Sequence, residues 1–190
     1  MLAHTVSRHE MRRSSPQRPI IAFGDSLVEG LGASKNHDWV SLLSARHDIP
    51  ILNKGKRHDT TRSALDRLGK DVIQHEPSLT ILLLGGNDIL HRIPKTETFC
   101  NLSRMIDRLL IEKIGVLLVG VRGGILEDAF EGRYQTLAEE KGIPYIPNIL
   151  EDILNDPGLM TDPFHPNDQG YQIMADRIGR KLVQAFFRST

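Results

Sequence analysis

Three short polar patches in this chain carry side chains able to act together on an acyl group. Gly24-Asp25-Ser26-Leu27 follows an apolar run, and Gly85-Gly86-Asn87-Asp88 follows another. Asp162-Pro163-Phe164-His165 lies near the C-terminus. Ser26 offers a hydroxyl nucleophile, Asn87 an amide donor, and His165 a base with a carboxylate three residues before it. Gly24 permits a sharp turn. A helical turn starting at Ser26 would aim free backbone N–H groups at an anion formed beside its Oγ. The Asn87 NH₂ can donate to an oxyanion. Asp162 can hold one imidazole nitrogen of His165 while the other faces a hydroxyl.

Each patch also has a plainer reading. Asp-Ser after a strand is an ordinary helix N-cap. Gly-Gly-Asn-Asp is a common turn at a strand end, with Asp88 bracing the loop backbone. Asp-Pro ahead of His-Pro makes a turn with an exposed imidazole. A metal site has less support, since there is no His-Glu-x-x-His and no cysteine cluster. The other histidines (His4, His9, His37, His47, His58, His75 and His91) are scattered and read as surface residues.

The elements that must position these groups alternate along the chain. Short apolar runs at Pro19–Gly24, Ile49–Asn53, Leu79–Gly85, Gly115–Val121 and Ile143–Ile146 suit parallel strands buried on both faces. Helical patterns separate them, over Asp38–Arg46, Arg62–His75, Thr96–Lys113 and Ile125–Lys141. A last helix begins at Pro166 or Asn167 and runs to about Phe187. This alternation predicts an α/β protein, a three-layer α/β/α sandwich around a five-stranded parallel sheet. In such a sheet chemistry sits at the carboxyl ends of the strands or in a loop on that edge, where each of the three patches falls.

Bulk properties limit the partners. The 190 residues fit one domain, and Lys+Arg and Asp+Glu both number 24. A net charge of zero gives no reason to expect nucleic acid or an anionic membrane. The single cysteine, Cys100, excludes an intrachain disulfide and reads as a small buried hydrophobe. Residues 1–18 are polar and basic and lack the apolar core of a secretory signal, so they read as a flexible arm ahead of a domain over 19–190. No apolar stretch reaches membrane-spanning length, which leaves the cytoplasm as the default compartment. Nothing in the chain speaks to oligomeric state.

Taken together, the three patches and Gly55 after the second strand (Leu52-Asn53-Lys54-Gly55) resemble the SGNH hydrolases, the GDSL esterases and lipases. The resemblance spans nearly the whole chain from about Pro19. It is nearest the bacterial thioesterase/lysophospholipase/arylesterase branch, through Asn53-Lys54-Gly55, Asp59-Thr60, Gly85–Asp88 and Asp162–Asn167. It implies the flavodoxin-like fold of that family. It also implies Ser26 as nucleophile, His165 as base, Asp162 as its orienter, and Ser26 N–H, Gly55 N–H and the Asn87 amide as oxyanion donors. Two departures stand out. His58 occupies the place where the branch often has a second Gly before Asp-Thr. Val121-Arg122-Gly123-Gly124 replaces a Pro-rich segment after the fourth strand.

The implied reaction is hydrolysis of an acyl ester, thioester or lysophospholipid through an acyl-enzyme, with no metal or organic cofactor. A carbohydrate O-acetyl ester is the second substrate class. Lys54, Lys56, Arg57 and Arg92 fall near the expected mouth and read as solvated surface charge. A non-catalytic carbohydrate- or lipid-binding module remains open, although every chemical position is filled. A nucleotide-binding protein has little support, because Gly24–Gly32 matches neither phosphate-loop pattern.

Overall fold

The computed structural model describes residues 18–122 and 128–187. The expected basic arm lies outside the described residues except for Arg18, and so do Gly123 and Gly124. Five strands form one parallel sheet: β1 (Ile20–Gly24), β2 (Ile51–Gly55), β3 (Leu79–Leu83), β4 (Gly115–Val119) and β5 (Tyr145–Ile146). Their spatial order is β2-β1-β3-β4-β5. Every residue of β1 and β3 is buried, and apart from Thr80 in β3 both runs are apolar, as strands covered on both faces require.

Among the described residues seven α-helices accompany the sheet: α1 (Ser26–Glu29), α2 (Trp39–His47), α3 (Thr61–Asp71), α4 (Gly86–Leu90), α5 (Lys95–Ile111), α6 (Asp128–Lys141) and α7 (Asp168–Leu182). α2 packs with α7, while α3 packs with α5 and α5 with α6. This division follows from the strand order. The chain moves from β1 to β2 in one direction, then back past β1 to β3, β4 and β5. Right-handed crossovers therefore put α2 on one face and α3, α5 and α6 on the other. The direction reverses between β1 and β3, so the sheet opens a crevice there. Ser26 and Asn87 follow those two strands.

Most element ends fall within a few residues of the pattern, and the departures have local causes. The third strand stops at Leu83 because Gly85 turns away with a φ of 119°. The expected helix over Arg62–His75 ends at Asp71 and continues as a 3₁₀ turn at Ile73–His75. The last helix ends at Leu182 and passes into a π-helical turn over Val183–Phe187. Cys100 is exposed rather than buried. It lies on the outward side of α5, whose buried face carries Phe99, Leu102, Met105, Ile106 and Leu109. Among the described residues no helix is long and apolar enough to cross a membrane.

Candidate active site

Ser26 is the first residue of α1. Asp25 caps that helix, its carboxylate accepting the Leu27 N–H at 3.0 Å. In this four-residue helix Ser26 stays half-buried after the strand end, while Leu27 and Val28 anchor the turn in the core. Gly24 is needed at the strand end, since a Cβ there would collide with the Leu83 carbonyl and the Val28 side chain.

His165 and Asp162 reach the same point from 139 residues further along the chain. His165 Nε2 lies 2.9 Å from Ser26 Oγ. His165 Nδ1 lies 2.7 Å from Asp162 Oδ2 and 2.9 Å from Oδ1. The pairing calls for the neutral tautomer with its proton on Nδ1, which leaves Nε2 to accept from the serine hydroxyl. Asp162 Oδ1 also accepts the backbone N–H groups of Phe164 and His165, at 2.8 and 2.9 Å. Burial alone would raise the Asp162 carboxyl, but the Phe164 N–H and the bonds to His165 outweigh it and hold the group below its ordinary value.

This loop is stitched to the segment that follows α1. Thr161 Oγ1 donates to the Gly32 carbonyl at 3.0 Å, and Tyr171 Oη donates to the Leu31 carbonyl at 2.8 Å. Asp168, in the first turn of α7, accepts from Ser34 N at 2.7 Å and Ser34 Oγ at 2.6 Å. The segment that follows Ser26 and the loop that carries His165 are thus tied directly to one another.

Asn87 lies in α4, half-buried, and its Nδ2 donates to the Asp59 carbonyl at 2.9 Å. The amide has a second hydrogen. The turn that presents it is shaped by Tyr134, whose buried hydroxyl donates to the Leu84 carbonyl at 2.6 Å. A Cβ on Gly85 would collide with that hydroxyl. Asp88 is fully buried and accepts from Thr61 N, Thr61 Oγ1 and Thr98 Oγ1, which makes it the brace the turn reading suggested.

Gly55 does not join this group. It is the last residue of β2, and its N–H donates to Asn53 Oδ1 at 2.8 Å. Its lack of a side chain serves packing instead, because a Cβ would run into the Glu29 backbone nitrogen. The loop beyond it offers another donor that residue types do not reveal. His58 has a φ of 66°, a conformation that favours glycine. Among the described residues its N–H has no acceptor, and neither has that of Ser26. The His58 loop is tied to both neighbours of the crevice. Lys56 N donates to the Gly24 carbonyl at 3.0 Å, and Asn87 holds the Asp59 carbonyl.

Arg67 locks this corner from below. Its guanidinium binds the Asp59 carboxylate, Asp71, and the carbonyls of Gly24 and Lys54 at 2.9 and 3.0 Å. It also stacks 4.2 Å from the Phe23 ring centre. Asp25 sits close by, 3% exposed, and burial pushes its carboxyl up to about 7, with Asp59 and Asp88 adding repulsion. Among the described residues no group of three or more His, Cys, Asp or Glu side chains is placed to hold a metal ion.

The GDSL-like Lipase/Acylhydrolase family model matches residues 22–173, which include all of these groups. The chain belongs to that family. It is 29% identical over 182 residues to an arylesterase of Vibrio mimicus, covering 90% of this chain and 91% of that protein. It is 28% identical over 178 residues to Thioesterase 1/protease 1/lysophospholipase L1 of Escherichia coli K12, covering 90% and 86%. The crystal structure of TesA superposes with a TM-score of 0.81 at 26% identity, over 86% of this chain and 97% of that one. The protein is an SGNH hydrolase that acts on ester bonds.

Proposed function

We propose that this hydrolase cleaves small acyl esters, thioesters or lysophospholipids through a Ser26 acyl-enzyme. The observation that carries the reading is the unbroken chain Ser26 Oγ, His165 Nε2, His165 Nδ1, Asp162, with contacts of 2.9 and 2.7 Å. His165 takes the Ser26 proton as Oγ attacks the ester carbonyl, and Asp162 stabilises the imidazolium that forms. The tetrahedral oxyanion then needs donors. We assign these to the N–H of Ser26, the free hydrogen of the Asn87 amide and the N–H of His58, in place of Gly55. Collapse expels the alcohol or thiol, which takes the proton back from His165. A water activated by His165 then releases the acid.

The relatives' names support an acyl ester or thioester ahead of a sugar acetate. An exposed Phe164, its ring 6.5 Å from the His165 ring, adds an apolar surface beside the base. A fluorophosphonate probe should label one peptide, the one containing Ser26, and Ser26→Ala should remain unlabelled and inactive on p-nitrophenyl esters. Labelling that survives Ser26→Ala would overturn the assignment.

A further inference from the structure

We propose that Glu29 and Arg57 form a latch that positions the His58 N–H for the oxyanion. The proposal rests on the ester-hydrolysis reading above and concerns how its third donor is held. Glu29 is the last residue of α1, the turn that Ser26 opens, so it is rigidly related to the nucleophile. Its N–H donates to the Asp25 carbonyl at 3.0 Å. Arg57 is the residue whose peptide bond carries the His58 N–H.

Glu29 grips Arg57 at both backbone and side chain. Glu29 Oε2 accepts the Arg57 N–H at 2.7 Å. Arg57 Nη2 lies 2.5 Å from Oε1 and Nε lies 3.2 Å from Oε2, with Nε also 3.0 Å from Oε1, so the guanidinium lies fork-on against the carboxylate. The Arg57 guanidinium holds the Glu29 carboxyl below its ordinary value. An exposed ion pair contributes little to stability. Here the pair has something specific to restrain. His58 has the left-handed φ of 66°, which a non-glycine residue reaches only at a cost of about 1–2 kcal/mol. Left unrestrained, the Arg57–His58 peptide would relax and its N–H would turn.

The other side of His58 is already fixed. Asp59 accepts from Arg67 Nε and Ser63 Oγ through its carboxylate, and from Asn87 Nδ2 through its carbonyl. The N–H of His58 is left without an acceptor between two anchored neighbours. A chain with glycine at this place would have no left-handed cost to offset. Glu29 and Arg57 are positioning residues that allow histidine to stand there.

The test compares Glu29→Ala, Arg57→Ala, Glu29→Gln and Arg57→Lys with the unaltered protein. Turnover of p-nitrophenyl acetate is measured beside the affinity of an aryl trifluoromethyl ketone, which adds Ser26 Oγ as a tetrahedral oxyanion. Both alanine variants should lose about tenfold in kcat with KM within about twofold, since a displaced donor is felt in the transition state. Ketone affinity should fall by the same factor as kcat/KM. Glu29→Gln keeps an oxygen for the Arg57 N–H and should recover most of the loss. Arg57→Lys cannot form the fork and should recover less. Unchanged kcat in the alanine variants would overturn the latch. So would a kcat loss without a matching loss of ketone affinity, because the pair would then serve folding alone. If an alanine variant does not fold, Glu29→Gln and Arg57→Lys decide by the same comparison. Failure of the ketone to bind the unaltered protein would instead count against the Ser26 reading itself.

Discussion

Asn87 uses one of its two amide hydrogens on the Asp59 carbonyl, and the second is the one proposed to meet the oxyanion. Replacing it by alanine therefore removes two things. Loss of one oxyanion donor should lower kcat by about 10²–10³ with little change in KM. Loss of the Asp59 bond should lower stability by about 1 kcal/mol, and part of the kcat loss will come from a looser His58 loop. Steady-state kinetics and thermal unfolding on the same variant check both, and a near-normal kcat would mean that Asn87 only shapes the turn. The residues proposed to react or donate through their side chains could be named from the sequence, because Ser26, Asn87, Asp162 and His165 carry their chemistry in their identity. The donor proposed at His58 could not be named in the same way, because a backbone N–H belongs to every residue but proline. Only its φ and its lack of an acceptor distinguish it. Gly55, whose N–H goes to Asn53 Oδ1, is ambiguous for the same reason, since a glycine that admits close packing looks in sequence like a glycine that donates. Arg57 read as a solvated charge because its partner, Glu29, lies 28 residues away.

At the scale of elements, the site depends on two loops from opposite ends of the chain meeting in one register. The apolar periodicity located the strands and helices that flank them. It contained nothing about the ties between Gly32 and Thr161, Leu31 and Tyr171, or Ser34 and Asp168, because such ties depend on backbone carbonyls and on crossover geometry. Gly32 is where those loops approach most closely. Its φ is 97°, and a Cβ there would lie 2.6 Å from the Pro166 carbonyl oxygen and 3.2 Å from His165 Cβ. Gly32→Ala should therefore push the His165 loop away from Ser26. The expected result is a kcat lower by about 10²-fold at a temperature well below unfolding, with a smaller fractional loss of stability. An undiminished kcat would show that contact between these loops does not set the Ser26–His165 distance.

For the molecule as a whole, activity and the Asp25 contribution to stability should run in opposite directions with pH. His165 must be neutral to accept the Ser26 proton, so kcat/KM should rise with pH along an acid limb. Asp25 works the other way on stability. Its carboxyl is buried beneath the site beside Asp59 and Asp88, and burial raises it from 3.8 to about 7. The unfolded chain gives up this proton near 3.8, while the folded protein keeps it until about 7. Between those values the folded state binds more protons, so raising the pH favours unfolding, and the effect levels off above about 7. Asp162, Glu29 and Asp168 are held below their ordinary values and add stability that is lost only at more acid pH, as their folded-state carboxylates protonate. Asp25→Asn isolates the opposing contribution, since asparagine keeps an oxygen for the Leu27 N–H but carries no titrating proton. The difference in Tm between Asp25→Asn and the unaltered protein should grow in the variant's favour from pH 4.5 to 7 and then stay constant. A difference independent of pH would mean that Asp25 ionises alike in both states, and that the nucleophile's helix is capped by an ordinary carboxylate rather than a buried acid.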